Sequence, residues 1–173
     1  MNKTLVIHHS KYGSSKAYGE AIAKTLNATA QSFKSLKNKD LKNADTLIYV
    51  AGVYISSIRG LKKLNKKLTN TNINTYIVGV GLGPKTTETL EKLKAHNEKA
   101  LAPHTNPLYY FCGDFDVKTF SFLHRVMMKM LKKMLKNKAD ITEDEKYLLN
   151  AIENPVKQID TSLTSELTNH IKE

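Results

Sequence analysis

The chain has one cysteine, Cys112, in 173 residues, which excludes an internal disulfide framework and any cysteine-rich zinc site. Arginine is nearly as scarce, with Arg59 and Arg125 the only two among 27 Lys/Arg. Lysine lacks the bidentate fork that reads base edges, and neither zinc-finger spacing nor an aromatic-rich RNA-binding signature is present, so no nucleic-acid partner is expected. Long apolar runs are missing too: Leu47 to Ile55 is the longest, at nine residues. A bilayer crossing needs about 20. The opening MNKTLVIHHS lacks the apolar core and small-residue cleavage site of a signal peptide, so a cytoplasmic setting is expected, with peripheral contact at the inner membrane face as its one extension. His96, His104, His124 and His170 show no metal spacing, and neither a Ser-His-Asp elbow nor a hydrolytic carboxylate pair is found. Cys112 reads as a core thiol in a strand rather than a nucleophile.

What is present is positive charge. The net charge is +11, and it is unevenly placed. Residues 1–138 hold 24 Lys/Arg against 8 Asp/Glu, whereas residues 139–173 hold 3 against 8. Such a field draws anions: a carboxylated or phosphorylated small molecule, or an anionic lipid surface. The composition, 40% hydrophobic and 25% charged, is that of a globular chain with a core of ordinary size.

Short apolar runs alternate with helical patterns. Strands are predicted at Thr4–His9, Ala28–Phe33, Thr46–Gly52, Ile73–Val80 and Pro107–Gly113. Helices are predicted at Ser14–Asn27, Ser57–Leu68, Thr86–Leu101 and Thr119–Lys136, followed by shorter ones at Thr142–Ile152 and Ser162–Ile171. Strand–helix alternation with unbroken apolar strands predicts an α/β doubly wound parallel sheet covered on both faces. No repeat or linker interrupts the chain, so a single domain over 1–173 is expected, with a core at 1–138 and a helical extension at 139–173. In such sheets ligands sit beyond the carboxyl ends of the strands, at the switch between strands 1 and 3.

Four loops fall at that end. The first, Ser10-Lys11-Tyr12-Gly13-Ser14-Ser15, brings hydroxyls, a lysine and a glycine to a helix start. Backbone N–H groups and the helix dipole there suit a phosphate monoester. After strand 3, Gly52-Val53-Tyr54-Ile55 places glycine beside apolar and aromatic side chains, which suits a flat ring. After strand 4 comes Val80-Gly81-Leu82-Gly83. Pro84 stands where a Walker A loop or a dinucleotide fingerprint needs a small residue, so both are rejected, and a close backbone approach to a planar ligand remains. The fourth loop, Gly113-Asp114-Phe115, can close over the ring or meet substrate. His8 and His9 end strand 1 on opposite faces and are expected to pack against the sheet. One phosphate cradle beside ring-sized loops points to a mononucleotide with a large planar ring, and FMN is the best match.

On these residues the chain resembles the flavodoxin-like family. Ser10–Ser15 is similar to that family's Ser/Thr-x-x-Gly-x-Ser/Thr phosphate loop, with Tyr12 where threonine is frequent. Tyr54 and the Gly79–Gly83 turn fall where its two ring-binding loops fall. The resemblance implies a three-layer sandwich with a five-stranded parallel sheet in the order 2-1-3-4-5, and FMN held by Ser10–Ser15, Gly52–Ile55 and Val80–Gly83. More narrowly, Cys112-Gly113-Asp114-Phe115-Asp116 and the Met/Lys-rich run Phe120–Met130 resemble the branch that contains the menaquinone-dependent protoporphyrinogen oxidases. That implies an FMN-dependent oxidoreductase passing electrons from an anionic substrate such as protoporphyrinogen, through FMN, to a quinone. A flavodoxin-type electron-transfer protein docking a redox partner is the alternative.

The Thr119–Lys136 helix is amphipathic. Leu123, Val126, Met127, Met128, Met130, Leu131, Met134 and Leu135 sweep one arc, and Lys129, Lys132, Lys133 and Lys136 the other. Packing of the apolar arc on the sheet is the leading expectation, and contact with an anionic lipid interface the second.

Overall fold

A computed structural model describes residues 3–172. In chain order the elements are β1 (Thr4–His9), α1 (Ser14–Thr25), β2 (Thr29–Ser32), α2 (Asn38–Lys42), β3 (Thr46–Tyr54), β4 (Ser57–Ile58), α3 (Leu61–Leu68), β5 (Asn74–Gly81), α4 (Thr87–Leu101), β6 (Leu108–Cys112), α5 (Phe122–Lys136), α6 (Glu143–Glu153) and α7 (Thr164–Lys172). They form two compact units, one running to Cys112 and resuming at Ile159, the other spanning Gly113–Gln158.

The first unit is an α/β sandwich. Its parallel sheet has the order β2-β1-β3-β5-β6, the expected 2-1-3-4-5 arrangement, and the short β4 adds an antiparallel partner to β3. Alternate side chains serve opposite faces. Leu5, Ile7, Leu47, Tyr49, Ala51 and Ile77 pack with Leu61 and Leu64 of α3 and Leu93 and Ala100 of α4. Val6, Ile48, Val50, Val78 and Val80 pack with Tyr18, Ile22 and Ala23 of α1 and Leu167 of α7. In α3, Leu61 and Leu64 are buried while Lys62, Lys63, Lys66 and Lys67 are exposed, which is why so lysine-rich a segment still folds as a helix on the sheet.

Three expectations are corrected. The sheet has six strands rather than five, because Thr46–Gly52 continues to Tyr54 and turns back through Ser57–Ile58. The predicted helix Ser57–Leu68 therefore starts only at Leu61, since its first residues pair with β3. The helix predicted from Thr119 begins at Phe122, after a single 3₁₀ turn at Val117–Thr119.

The larger difference concerns which helix covers the sheet. The apolar arc of α5 is not buried as expected: Leu135 is the helix's buried residue, and Phe122, Leu123, Met130 and Met134 are 75%, 66%, 68% and 58% exposed. Beside α1 the sheet is covered by α7, whose Leu167 is fully buried, with Leu163 and Ile171 partly buried in the same cluster. Spacing of i, i+4, i+8 gives this short segment the stripe the sheet requires. His170 fixes it further, with Nδ1 hydrogen-bonded to the Tyr109 hydroxyl and the ring edge-on to Tyr76 at 5.7 Å.

The second unit is a pair of helices, α5 and α6. Lys132 and Lys136 both reach Glu153, at 3.0 and 2.7 Å. Lys138 pairs with Glu145 at 2.7 Å. Thr142 and Glu145 close a capping box at the start of α6.

The chain leaves the first unit after Cys112 and returns at Ile159, and one side chain marks both points. The fully buried Tyr18 donates its hydroxyl proton to the Cys112 carbonyl at 2.7 Å and accepts from the Asp160 N–H at 3.0 Å. Tyr18→Phe strips both backbone groups of their partner. We expect a loss of about 2–4 kcal/mol in urea unfolding, at about 1–3 kcal/mol per orphaned group after partial solvation. An unchanged midpoint would contradict the assignment.

Candidate functional site

The carboxyl ends of the central strands lie in one row. His9 is in register with Ala51, Gly52 with Val80, and Gly81 with Cys112. The segments that follow β1, β3 and β5 thus emerge along one edge of the first unit, as the doubly wound topology requires.

The first segment is built around Gly13. Its φ of +104° is accessible to glycine and strained for L side chains, and a Cβ built there meets nothing within 4 Å. The Gly13 N–H donates to Ser10 Oγ at 3.0 Å, which folds the loop back on itself. Gly13 is the N-cap of α1, so the helix starts without a side-chain cap. By contrast, Thr86 caps α4 through the Thr89 N–H and Thr142 caps α6. The start of α1 combines an open surface, first-turn N–H groups and the positive dipole end, a donor set that fits a phosphoryl group. Ser15 is buried below this loop, whereas Tyr12 is 37% exposed on its rim. Lys11 Nζ lies 5.6 Å from the Tyr12 ring centroid.

The second segment is a hairpin, where the sequence predicts a loop leading into a helix. Val53 pairs with Ile58 and Tyr54 with Ser57, so the turn residues are Ile55 and Ser56. Both have positive φ, 47° and 55°, as in a type I′ turn, which elsewhere favours Asn-Gly. A branched residue there costs roughly 1–2 kcal/mol, so something must hold the turn. That group is Asn97 of α4. Its Nδ2 donates to the Ser56 carbonyl at 2.7 Å and to the Leu93 carbonyl at 2.8 Å, while its Oδ1 accepts from the Ile58 N–H at 3.0 Å. With the turn so fixed, Tyr54 and Ile55 project at the tip, 47% and 76% exposed. Leu90, Leu93, Asn97 and Leu101 share one stripe at helical spacing, and a polar residue on that apolar stripe is the signal the sequence offers for this role.

The third segment carries Leu82 and Gly83. Its glycines have reasons unrelated to a ligand at two positions. A Cβ on Gly79 would meet Leu93 at 2.9 Å and Val53 at 3.1 Å, and one on Gly81 would meet the Tyr110 hydroxyl at 2.6 Å. Tyr110 then donates to the Gly83 carbonyl at 2.9 Å, and Cys112 Sγ approaches the same carbonyl at 3.5 Å. Tyr110 is thus the residue that sets this turn, and sequence reading did not single it out. Burial pushes the Cys112 thiol up, consistent with an unreactive thiol.

Gly113, Asp114 and Phe115 belong to the second unit, where their polar groups hold the returning chain. Asp114 accepts from the Gln158 N–H at 2.8 Å and from Lys157 at 3.3 Å, the Gly113 carbonyl accepts from Gln158 Nε2 at 3.1 Å, and Phe115 forms a two-way bridge with Val156. The two strand-ending histidines pack against the sheet as expected. His9 stacks on Phe33 at 4.8 Å and its Nδ1 lies 2.9 Å from the Tyr49 hydroxyl. Because that hydroxyl donates to the Arg59 carbonyl at 2.6 Å, His9 Nδ1 must be the donor to it. Gly60, at φ +74°, leaves the space that His9 and Tyr49 fill. Burial holds both His8 and His9 below the usual imidazole range, with the Arg59 charge adding to the effect at His9.

Charge at the three segments is of one sign. Residues 10–15, 52–59 and 80–86 contain Lys11, Arg59 and Lys85 and no Asp or Glu, although Lys85 is paired with Glu166 of α7. Among the described residues no cluster of His, Cys, Asp and Glu is arranged to hold a metal. An open cavity of about 730 Å³ lies elsewhere, lined by Asn65, Asn72, Asn74 and His104 at the amino end of β5. Carbonyl-bearing helix ends there favour cations over a phosphate.

A family described as "Flavodoxin domain" matches residues 5–142. The chain belongs to this family. No curated protein matches it. Among solved structures it is similar to a flavodoxin from the domain Archaea at 14% identity, with 99% of each chain covered and a TM-score of 0.48. It is also similar to Flavodoxin 2 from Bacillus cereus, at 12% identity over 87% of this chain and 95% of that one, with a TM-score of 0.49. The Trp repressor binding protein from Bacillus subtilis is 14% identical over 64% of this chain and 83% of that one, with a TM-score of 0.47. Among the described residues no helix is long and apolar enough to cross a membrane.

Asn97→Ala leaves the Ile58 N–H and the Ser56 carbonyl without their partner. We expect a loss of about 2–3 kcal/mol in denaturant unfolding. Hydrogen exchange at the Ile58 amide should accelerate more than at Val50; equal changes at both would show that Asn97 does not hold the turn.

Proposed function

We propose that this flavodoxin-domain protein binds FMN and acts as an oxidoreductase on an anionic small molecule, passing electrons on to a quinone. The observation that carries the reading is the open start of α1, where Gly13 leaves first-turn amides and free space without a side-chain cap. Ser10, Lys11, Tyr12, Gly13, Ser14 and Ser15 would hold the phosphate. Gly52, Val53, Tyr54, Ile55, Val80, Gly81, Leu82 and Gly83 would frame the ring. Bound FMN would supply one- and two-electron transfer through its ring.

The chain's own residues would bind, orient and tune. The hairpin locked by Asn97 would present Tyr54 and Ile55 as a rigid wall, at no ordering cost on binding. The turn pinned by Tyr110 would do the same on the other side. Lys11 and Arg59, with no carboxylate in their segments, would favour added negative charge, which suits a reduced flavin and a polycarboxylate substrate of the protoporphyrinogen kind.

The test is an anaerobic FMN titration of the purified chain followed by absorbance, with Gly13→Asp beside it. We expect saturable one-to-one uptake by the native chain, and at least about a hundredfold weaker uptake by the variant, which meets the phosphate with a carboxylate and a strained φ. The loaded protein should then oxidise protoporphyrinogen with menaquinone as acceptor. Failure to take up FMN would overturn the proposal. Exchange of electrons with a reductase but with no small-molecule substrate would leave an electron carrier in its place.

A further inference from the structure

α5 carries two apolar seams, and only one is used. At about 100° per residue, His124, Met128, Leu131 and Leu135 share one side of the helix. These are its less exposed positions, with Leu135 buried, in the unit where α5 packs with α6. Leu123, Met127, Met130 and Met134 form the second seam at the same i, i+4, i+7, i+11 spacing, and all four are exposed, as are the adjoining Phe122 and Val126. An apolar stripe of this length left in water has an occupant as its usual explanation.

The charges beside it say which. Between Lys118 and Lys138 the chain has seven Lys/Arg and no Asp or Glu. Lys132, Lys136 and Lys138 are engaged by acids of α6, but Arg125, Lys129 and Lys133 form no ion pair among the described residues. On the wheel Lys133 and Lys129 lie on the Phe122–Val126 flank of the bare seam, whereas Arg125 falls nearly opposite it. A second copy of the chain docked seam to seam would set these cations against their own kind, which disfavours self-association. A surface that is apolar below and anionic above matches both halves of the pattern. With 15 residues the helix is also too short to cross a bilayer and is of a length to lie in its interface. The methionines add a soft surface that adapts to disordered acyl chains.

We propose that α5 is an interfacial anchor, seating Leu123, Met127, Met130 and Met134 among the acyl chains of an anionic bilayer with Lys129 and Lys133 at its headgroups. The inference stands apart from flavin binding, because it uses no residue of the nucleotide site.

The test uses the full chain without added flavin, sedimented with vesicles of phosphatidylglycerol mixed equally with phosphatidylcholine, and with vesicles of phosphatidylcholine alone. Two cations at an anionic surface predict binding about thirtyfold tighter to the first, and weaker in high salt. The double variant Leu123→Asp/Met130→Asp should lose binding to both. The variant Lys129→Glu/Lys133→Glu should lose the preference for anionic vesicles. Both change exposed positions, and unaltered melting curves verify the fold. Equal affinity for the two vesicle types, no binding to either, or native binding by the aspartate variant would each overturn the proposal. So would a concentration-dependent dimer in sedimentation velocity that the aspartate variant disperses, since the seam would then belong to a second copy.

Discussion

Burial of the central strands on both faces is the constraint from which the rest of the molecule follows. Val6, Ile7, Tyr49 and Val50 are wholly out of water, so helices must close both sides of the sheet and no side of it is left for a ligand. What stays open is the edge where the strands end. There the parallel topology turns a helix start toward solvent, and the sequence chooses what that start looks like. At α1 it supplies a glycine at the N-cap, so the helix starts without a side-chain cap. The proposed site for a phosphoryl group thus rests on the fold and on one helix that starts at a glycine.

The neighbouring segments show how that open edge is held. Neither is rigid through its own backbone preferences: the hairpin turn puts Ile55 and Ser56 at positive φ, and the β5 turn leaves the strand through Leu82 and Gly83. Each is fixed by one polar side chain from a neighbouring element, Asn97 for the first and Tyr110 for the second. Strain of this kind persists only where its surroundings over-determine it. The consequence is a pair of prearranged segments, and none of the three contains an acidic side chain.

Much of the sheet was legible from the sequence because the cue was strong. Thr46–Gly52 and Ile73–Val80 are unbroken apolar runs, and their pairing order follows from strand–helix alternation. The turn from β1 into α1 was legible because glycine and serines stand where the apolar run ends and the helical pattern begins. The hairpin was not, since Tyr54-Ile55-Ser56-Ser57 lacks the Asn-Gly or Asp-Gly signal of a two-residue turn and is held from outside by Asn97. Nor could amphipathicity tell which helix covers the sheet. α5 has the richer apolar arc, but α7 occupies the place beside α1, and the deciding contacts, Tyr18 to Asp160 and His170 to Tyr109, join residues 142 and 61 positions apart. Pairings at that range leave no local trace in sequence.

The central claim is that a terminal phosphoryl group is gripped at the start of α1, and a comparison of FMN with riboflavin by titration calorimetry isolates it. The two share the ring system and differ in that group alone. The account predicts that FMN binds at least about a hundredfold more tightly, as charge-assisted hydrogen bonds from several amides imply. Equal affinities would contradict it, because the ring would then be held with no contribution from the loop at Ser10–Ser15.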